Sequence, residues 1–297
     1  MPGANVPARD RRTHCARCHH HRHAGPGRGD RDGPRGARQP SHGPRERAAH
    51  PDRAAAVVVP HHRGRGVAVT TVVVLAAGAG RRFGAVYPKE LHALRPGVAV
   101  IDPLFDAIDT LPLPEVKVVL VVSAEKLALV RHLERSRRDT AFVLLSHTQV
   151  ARGLGSGLLA AAPWCDETVL ICLGDQVFVS DPVPAFSDAV DRLHDADPIA
   201  VVAASTGDPE RLRREGALTV TDGIVTAAAE KPAQPAGFNA CWSALAVRRP
   251  MLAPLAHGLC AGVTERLIDA PVVWGPDFVN LNEPADLAAA AKAGVLP

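Results

Sequence analysis

A glycine-rich turn flanked by basic residues is the segment of this sequence best suited to chemistry on phosphates. It lies within residues 72–89 and contains Gly78 and Gly80, followed by Arg82 and Lys89. Glycines let the backbone approach a ligand closely, and the amides of such a turn can point at phosphate oxygens. The guanidinium and ammonium groups add positive charge where a polyphosphate would lie. The spacing therefore predicts a polyphosphate-binding turn.

A second candidate for chemistry is a carboxylate at the end of an apolar run. Asp175 follows Gly174 directly after the apolar residues 168–173. An aspartate in this position is often only a turn former. In open α/β sheets, however, ligands bind beyond the carboxyl ends of the strands. We therefore predict that Asp175 contacts a ligand.

The elements that must hold these residues are short apolar strands that alternate with helical patterns from residue 67 onward. Continuous β-branched runs of this kind are typical of parallel strands that are buried on both faces. The predicted strands are 70–75, 117–122, 141–145, 168–173 and 199–204, and the predicted helices are 124–137, 153–162 and two that open at Asp102-Pro103 and Asp181-Pro182. The alternation predicts a mainly parallel sheet with helices on both faces.

The pattern changes after Gly207. Residues 217–229 are typical of a hairpin that turns at Asp222-Gly223. Further strands are predicted at 240–247 and 278–281, with a closing helix at 284–293. The predicted sheet is therefore mixed, with its parallel strands in the first part of the chain.

Residues 1–66 differ in composition from the rest of the chain. They contain fourteen Arg, no Lys and five Asp or Glu, a balance of +9 in a chain whose total is +3. They are also poor in large apolar residues, so they cannot bury enough surface to offset the entropy lost on folding. We expect a disordered tail over 1–66 and a folded domain over 67–297.

The motifs in this tail do not predict a site. Cys15 and Cys18, followed by His19, could attach haem or bind zinc, but neither an export signal nor a folded context accompanies them. The arginines would bind polyanions without specificity, and no interleaved aromatics are present to stack bases. No apolar run is long enough to span a membrane. We expect a cytoplasmic protein without a specific nucleic-acid or membrane partner, and an oligomer is compatible with the sequence.

The Gly-x-Gly spacing after a first strand also leaves open a dinucleotide-dependent reductase. The third glycine, Gly84, falls one position late for that motif, and the pair Pro88-Lys89 interrupts the helix that should follow. The second predicted strand ends at Val122-Ser123, without an acidic residue for a ribose. These features favour the polyphosphate interpretation.

The turn resembles the signature Leu-Ala-Ala-Gly-x-Gly-(Thr/Ser)-Arg, with a later Pro-Lys, of the nucleotidyltransferase superfamily. Here it reads Leu75-Ala76-Ala77-Gly78-Ala79-Gly80-Arg81-Arg82, with Arg81 in the usual Thr/Ser position. The superfamily includes sugar-1-phosphate nucleotidyltransferases, cytidylyltransferases of isoprenoid and polyol phosphates, and MobA-like transferases of the molybdenum cofactor. The resemblance implies a three-layer Rossmann-like, glycosyltransferase-A-like fold.

Shorter motifs in the family's order extend the resemblance over most of residues 72–290. They are Leu154-Gly-Ser-Gly157, Leu170 to Asp175, Glu230-Lys231-Pro232, Phe238-Asn239 and the segment 279–287. The resemblance implies catalytic roles for Arg82 and Lys89 and a Mg²⁺ site at Asp175 with Asn280, or with Asn282 as the alternative. It implies nucleotide contacts by Leu75, Ala76, Ala77, Gly78, Gly80, Gln149, Gly155 and Ser156, and acceptor contacts by Glu230, Lys231 and Asn239.

The expected activity is the transfer of a nucleoside monophosphate from a nucleoside triphosphate to a small phosphorylated substrate, with release of pyrophosphate. Glu230-Lys231-Pro232 favours a sugar 1-phosphate as the acceptor. Gly153-Leu-Gly-Ser156 and Gly174-Asp-Gln176 also resemble the molybdenum-cofactor branch, so that a cytidylyltransferase of that branch, or of a polyol phosphate, remains an alternative.

Overall fold

Fourteen strands and eight α-helices occupy the part of the chain that the computed structural model describes, namely residues 55–57, 68–136, 140–151, 153–262 and 264–294, all within one unit, His50–Pro297. The strands are β1 (Ala55–Val57), β2 (Val69–Leu75), β3 (Ala93–Arg95), β4 (Val98–Ala99), β5 (Glu115–Ser123), β6 (Thr140–Leu145), β7 (Thr168–Leu173), β8 (Gln176–Phe178), β9 (Ile199–Ser205), β10 (Gly216–Thr221), β11 (Ile224–Glu230), β12 (Ala240–Arg248), β13 (Val272–Trp274) and β14 (Phe278–Asn280). The helices are α1 (Asp102–Asp109), α2 (Leu127–Ser136), α3 (His147–Ala151), α4 (Leu154–Ala161), α5 (Val183–Asp191), α6 (Pro209–Arg214), α7 (Arg249–Cys260) and α8 (Pro284–Lys292).

The main sheet has a parallel half and a largely antiparallel half. In the parallel half the strands lie in the order β6-β5-β2-β7. Strand β12 then runs antiparallel to β7 and also pairs with β9 and β10, and β11 follows β10 as a hairpin. Strand β13 adds a parallel pair with β9. The predicted mixed α/β sheet is confirmed.

The alternation of side chains along the strands builds two apolar layers. In β2, Val72 and Val74 belong to the cluster that contains residues of α1, α2 and α5, whereas Val73 and Leu75 belong to the cluster that contains residues of α4 and α7. Because both faces are covered, the strand has no polar face, which explains its continuous β-branched sequence. The predicted three-layer arrangement is confirmed.

The short ribbon of β8 and β14 brings two segments that are about a hundred residues apart in sequence to the same edge of the main sheet. The two strands pair antiparallel with Asn280 opposite Gln176. The amide of Leu281 also donates to the carbonyl of Asp175 over 2.9 Å. Residues 280–282 therefore lie beside the carboxyl end of β7.

The structure adds detail at two predicted boundaries. β1 lies inside the segment 1–66 and pairs antiparallel with β6. The rest of that segment, including Cys15 and Cys18, lies outside the described residues. Asp102 is the first residue of α1, and its carboxylate accepts from the amide of Ala99. Among the described helices, none combines the length and apolar character needed to cross a membrane.

Candidate active site

A cavity of about 410 Å³ lies at the carboxyl ends of the four parallel strands. Leu75, Val121, Leu145 and Leu173, which lie at or near the ends of β2, β5, β6 and β7, form part of its lining. This is the edge of an open α/β sheet where ligands bind. The remaining lining residues fall into three groups: a glycine loop with its basic residues, an apolar slot, and a group of polar residues around the β10–β11 hairpin.

The glycine loop, residues 75–82, lines the cavity along its whole length. The amide of Ala76 donates to the carbonyl of Val121 over 2.8 Å, so the loop begins as a continuation of the parallel ladder. Gly80 has a φ of 61°, a left-handed conformation that costs other residues free energy. Arg81 and Arg82 follow with exposed side chains. The structure brings together every predicted residue of the loop.

Lys89 joins the loop to the predicted metal ligands. It begins the 3-10 turn Lys89–Leu91 and its side chain is buried. Its Nζ donates to the carboxylate of Asp175 and, over 3.0 Å, to Oδ1 of Asn282. Two residues separated by 86 positions in sequence thus meet as an ion pair at the cavity.

Asp175, Asn280 and Asn282 all line the cavity. Oδ1 of Asn280 is buried and has no hydrogen-bond partner among the described residues. A buried amide oxygen without a donor is energetically unfavourable unless something binds it. One carboxylate with amide oxygens is a ligand set suited to Mg²⁺, which otherwise keeps several waters. The residues present therefore fit the predicted ion, although no group of three or more His, Cys, Asp or Glu is assembled within the described residues.

The polar residues on the opposite wall come from the open end of the β10–β11 hairpin and from α6. Glu230 and Lys231, which the sequence predicts as acceptor contacts, line the cavity, and Lys231 has a φ of 50°, which is uncommon for a residue with a side chain. The amide of Lys231 donates to the carbonyl of Glu215 over 3.0 Å, and its Nζ lies 3.0 Å from Oε1 of Glu230. Backbone strain of this kind is concentrated at functional sites.

Three lining residues of this wall carry no motif that the sequence analysis could use, namely Arg214, Glu215 and Trp242. Arg214 ends α6 and pairs with Glu283 and Asp286 at the start of α8, at 2.7 and 2.8 Å. Burial raises the pKa of Glu215, and the nearby Arg211 opposes that shift. Arg214 and Glu215 are adjacent at the end of α6, whereas Trp242 lies in β12, and no local spacing relates it to them.

The apolar slot is lined by Val121, Leu145, Val150, Leu154 and Gly157. None of these side chains can donate or accept a hydrogen bond. A flat nucleobase could pack in such a slot. Any polar contact of a base there would therefore have to come from the backbone.

Three of the predicted nucleotide contacts do not line the cavity and have other partners in the structure. Gln149 uses Oε1 to accept from the amide and hydroxyl of Ser146, at 2.9 and 3.0 Å. The hydroxyl of Ser156 donates to the carbonyls of Gly153 and Gln149. Gly155 lies against α7, where a Cβ would lie 2.1 Å from the carbonyl oxygen of Ala256. These positions hold α3, α4 and α7 together.

Asn239, the predicted acceptor contact, also lies outside the lining of the cavity. Its Oδ1 accepts from the amide of Val220 and its Nδ2 donates to the carbonyl of the same residue, both over 2.9 Å. The side chain thus extends the pairing of β10. Its role in the structure is to hold the hairpin.

The sequence matches a family model described as the MobA-like NTP transferase domain over residues 72–257. The UTP–glucose-1-phosphate uridylyltransferase AglF of Haloferax volcanii is 28% identical over 167 residues, which are 55% of this chain and 65% of that protein. The chain thus spans slightly less than two thirds of that relative's length.

Two solved structures are similar in fold. One is a protein from Bacillus anthracis assigned as a glucose-1-phosphate thymidylyltransferase, in complex with a sucrose, with a TM-score of 0.62, 15% identity, and coverage of 75% of this chain and 95% of that chain. The other is the inositol-1-phosphate CTP transferase of T. maritima, with a TM-score of 0.57, 16% identity, and coverage of 77% and 95%.

Proposed function

Because the chain belongs to the MobA-like NTP transferase domain family, we propose that it transfers a nucleoside monophosphate from a nucleoside triphosphate to a sugar 1-phosphate, releasing pyrophosphate and forming a nucleoside diphosphate sugar. The predicted class of enzyme, a nucleotidyltransferase, is confirmed by this membership. Membership of this family also argues against the alternative function that the glycine spacing left open, a dinucleotide-dependent reductase. The acceptor is the part of the proposal that goes beyond the family.

The observation that carries the proposal is the meeting of three separate segments at one cavity. The glycine loop, Lys89 and Asp175 line the same space, and Lys89 bonds to Asp175. A cationic loop facing a carboxylate is the arrangement that a triphosphate with a divalent ion requires. Had Gly80, Lys89 and Asp175 lain around different cavities, no shared site for a triphosphate would exist.

In the proposed reaction, a phosphate oxygen of the acceptor attacks the α-phosphorus. The new oxygen–phosphorus bond forms while the bond between the α-phosphorus and the bridging oxygen to the β-phosphate breaks, and that oxygen leaves with pyrophosphate. The acceptor phosphate is already anionic near neutral pH, so no general base is needed. The barrier lies in bringing two anions together in line, and the site must supply positive charge for that.

We assign the binding of each phosphate to different groups of the chain. Amides of the glycine loop and Arg82 would bind the α-phosphate and the leaving pyrophosphate, with Lys89 beside them. Lys231 would hold the acceptor phosphate from the opposite wall. Asp175 with Asn280, or with Asn282, would hold Mg²⁺, which when bound supplies charge neutralisation between the two reacting phosphates. The unpartnered Oδ1 of Asn280 supports its place in this ligand set.

A sugar phosphate is favoured as the acceptor by the wall that carries Glu230 and Lys231. Carboxylates that accept from hydroxyl groups, beside a cation that binds a phosphate, suit a polyhydroxylated phosphate ester. The relative from Haloferax volcanii, named for UTP and glucose 1-phosphate, supports the same class. The second candidate is a cytidylyltransferase of a molybdenum-cofactor precursor or a polyol phosphate, and the resemblance of Gly153-Leu-Gly-Ser156 and Gly174-Asp-Gln176 to the molybdenum-cofactor branch supports it.

The test is a release assay for pyrophosphate with UTP, dTTP, CTP, ATP and GTP, each combined with a panel of sugar 1-phosphates, inositol 1-phosphate and molybdopterin, in the presence of Mg²⁺. We expect release with one of the triphosphates and a sugar 1-phosphate. Release with molybdopterin or inositol phosphate alone would replace the first candidate by the second. If no pair released pyrophosphate above the level of the Asp175→Asn variant, the proposal would be wrong.

A further inference from the structure

A buried ion pair between Glu90 and Lys126 lies against the start of the glycine loop, and Glu90 also lines the cavity. Lys126 ends the 3-10 turn Ala124–Lys126 that follows β5. Its Nζ donates to Oε1 of Glu90 over 2.6 Å and to the carbonyl of Ala76 over 2.7 Å. The side chains of Lys126 and Glu90 are only 5% and 1% exposed. Neither residue belongs to a motif that identifies the site.

Such a pair is a poor way to gain stability. Moving two charges out of water costs free energy that their attraction only partly offsets, and an apolar pair of the same volume is often as stable or more so. Burial accordingly raises the pKa of Glu90 and lowers the pKa of Lys126, in each case against the opposing effect of the partner. Oε2 of Glu90 lacks a hydrogen-bond partner among the described residues, which adds to the cost. A role other than stability is therefore needed to explain the pair.

The contacts of the pair point to such a role. Ala76 is the residue at which β2 becomes the glycine loop, and its amide is already fixed by the carbonyl of Val121. Lys126 fixes its carbonyl, so the start of the loop is held from both sides. Glu90 directly follows Lys89 in the chain, and its own carbonyl accepts from the amide of Ile101. Lys126 therefore bonds both to the turn that carries Lys89 and to the start of the glycine loop, and so connects the two segments.

We propose that Glu90 and Lys126 are positioning residues that fix the glycine loop and Lys89 at the separation a triphosphate requires. The inference rests on the proposed function, because it assumes that the loop and Lys89 bind the same ligand. Misplacing binding groups by about 1 Å can cost up to about a hundredfold in rate. The ion pair of Glu90 and Lys126 holds the start of the loop rigidly and so avoids this loss of rate. Because the pair is neutral as a whole, it adds no net charge that competes with Arg82 or Lys89 for phosphate.

The experiment measures binding and stability separately. The double variant Glu90→Gln/Lys126→Met removes both charges, so that neither is left buried and unpaired. Inorganic tripolyphosphate, added with Mg²⁺ and titrated by calorimetry, reports on the loop independently of the base and of the acceptor. We expect the double variant to melt cooperatively within a few degrees of the unmodified protein, and to bind tripolyphosphate about tenfold more weakly.

A second ion pair, near the amino ends of β5 and β7, provides a control that is remote from the cavity. Lys117 pairs with the carboxylate of Asp166, and neither residue lines the cavity. The variant Lys117→Met/Asp166→Asn should change the melting temperature at least as much but leave the affinity for tripolyphosphate within about twofold, since no loop contact is lost. The single variant Glu90→Gln keeps the bond from Lys126 to Ala76. Its affinity for tripolyphosphate should lie between the affinities of the double variant and the unmodified protein.

Two outcomes would overturn the inference: unchanged affinity in both Glu90 variants, or an equal loss in the Lys117/Asp166 control. If the double variant did not fold, Glu90→Gln with unchanged affinity would still overturn the inference. These results would leave pyrophosphate release by the unmodified protein intact. Failure of the proposed function would look different, since the unmodified protein would then neither bind tripolyphosphate nor release pyrophosphate from any triphosphate.

Discussion

The two walls of the cavity are built in different ways. The loop wall, residues 75–82 with Lys89, comes from one stretch of fifteen residues. The hairpin wall, Arg214 to Gly216 with Glu230, Lys231 and Trp242, is assembled from α6, β10, β11 and β12. The loop wall carries Arg81, Arg82 and Lys89, and the carboxylate of Glu90 beside them is paired with Lys126, whereas the hairpin wall balances Arg214 and Lys231 against Glu215 and Glu230.

The difference in charge matches the different tasks that we propose for the two walls. A triphosphate carries several negative charges in a fixed arrangement, so a short cationic loop can be specific for it. A sugar phosphate has one charged group and many hydroxyls, so its wall needs acceptors as well as a cation. If this division is correct, changes on the loop wall affect use of the nucleotide, and changes on the hairpin wall affect use of the acceptor.

The largest expected effect lies between the walls, at Asp175. We expect Asp175→Asn to lower turnover by about a hundredfold or more, because a metal ion contributes several kcal/mol of charge stabilisation in the transition state and each 1.36 kcal/mol is tenfold in rate. Pyrophosphate release measures this, and circular dichroism checks the fold. Asp181→Asn is the control, since that carboxylate is exposed, lies outside the lining of the cavity and accepts from the amide of Val183. Equal loss in both variants would contradict a role for Asp175.

Substitution of Lys89 should have the next largest effect. It should raise the affinity for a divalent metal ion and lower the affinity for tripolyphosphate. In Lys89→Met the carboxylate of Asp175 loses its ammonium partner, so we expect Mn²⁺ to bind about tenfold more tightly in the absence of nucleotide, as for a removed neighbouring charge. The affinity for tripolyphosphate should fall. Titration of Mn²⁺ followed by paramagnetic resonance measures the first effect. Lys117→Met, which removes an ammonium from Asp166 instead, should leave Mn²⁺ binding unchanged.

The sequence predicted the loop wall because all of its chemistry is local. Gly78 and Gly80, the basic residues after them and the preceding buried strand lie within one window, so their spacing alone is enough to predict a polyphosphate-binding turn. Asp175 was predicted for a related reason, since a strand end is a recognisable position. The fold followed from strands that are buried on both faces and therefore keep a continuous apolar sequence.

The residues that the sequence could not predict depend on contacts between distant elements. Gln149, Gly155 and Asn239 have the residue types of ligand contacts, but Gln149 bonds to Ser146, Gly155 makes room for α7, and Asn239 bonds to Val220. Arg214 and Glu215 reach the cavity only because α6 packs beside β10. Helix α7 was not predicted because Pro254 lies inside it, against the usual preference.

Lys231 tests the hairpin wall directly. We expect Lys231→Met to raise the KM for the acceptor about tenfold, because a hydrogen bond to a charged group contributes about 1.5–3 kcal/mol, while the KM for the triphosphate stays within about twofold. Arg82→Met should show the reverse pattern. Steady-state kinetics with each substrate varied in turn measures both. Lys292→Met, an exposed lysine of α8 outside the cavity, is the control. If the two variants affected both substrates equally, the division between the walls would be wrong.

The smallest expected effect concerns the acidic part of the hairpin wall. Burial raises the pKa of Glu215 above its ordinary value of 4.5, so the folded protein holds this proton at a pH where the unfolded chain has lost it. A group that binds more protons when folded makes the free energy of unfolding fall as pH rises through that window. Glu215→Gln cannot titrate at this position and should remove this part of the pH dependence, as measured by urea unfolding between pH 4.5 and 7.

The loop wall supplies the control. Arg82→Met changes no titrating acid, so the free energy of unfolding of this variant should keep the pH dependence of the unmodified protein. A pH dependence unaltered in Glu215→Gln would show that the carboxylate is as easily ionised in the fold as outside it, and would remove the distinction between a hairpin wall that contains a partly buried acid and a loop wall dominated by cations.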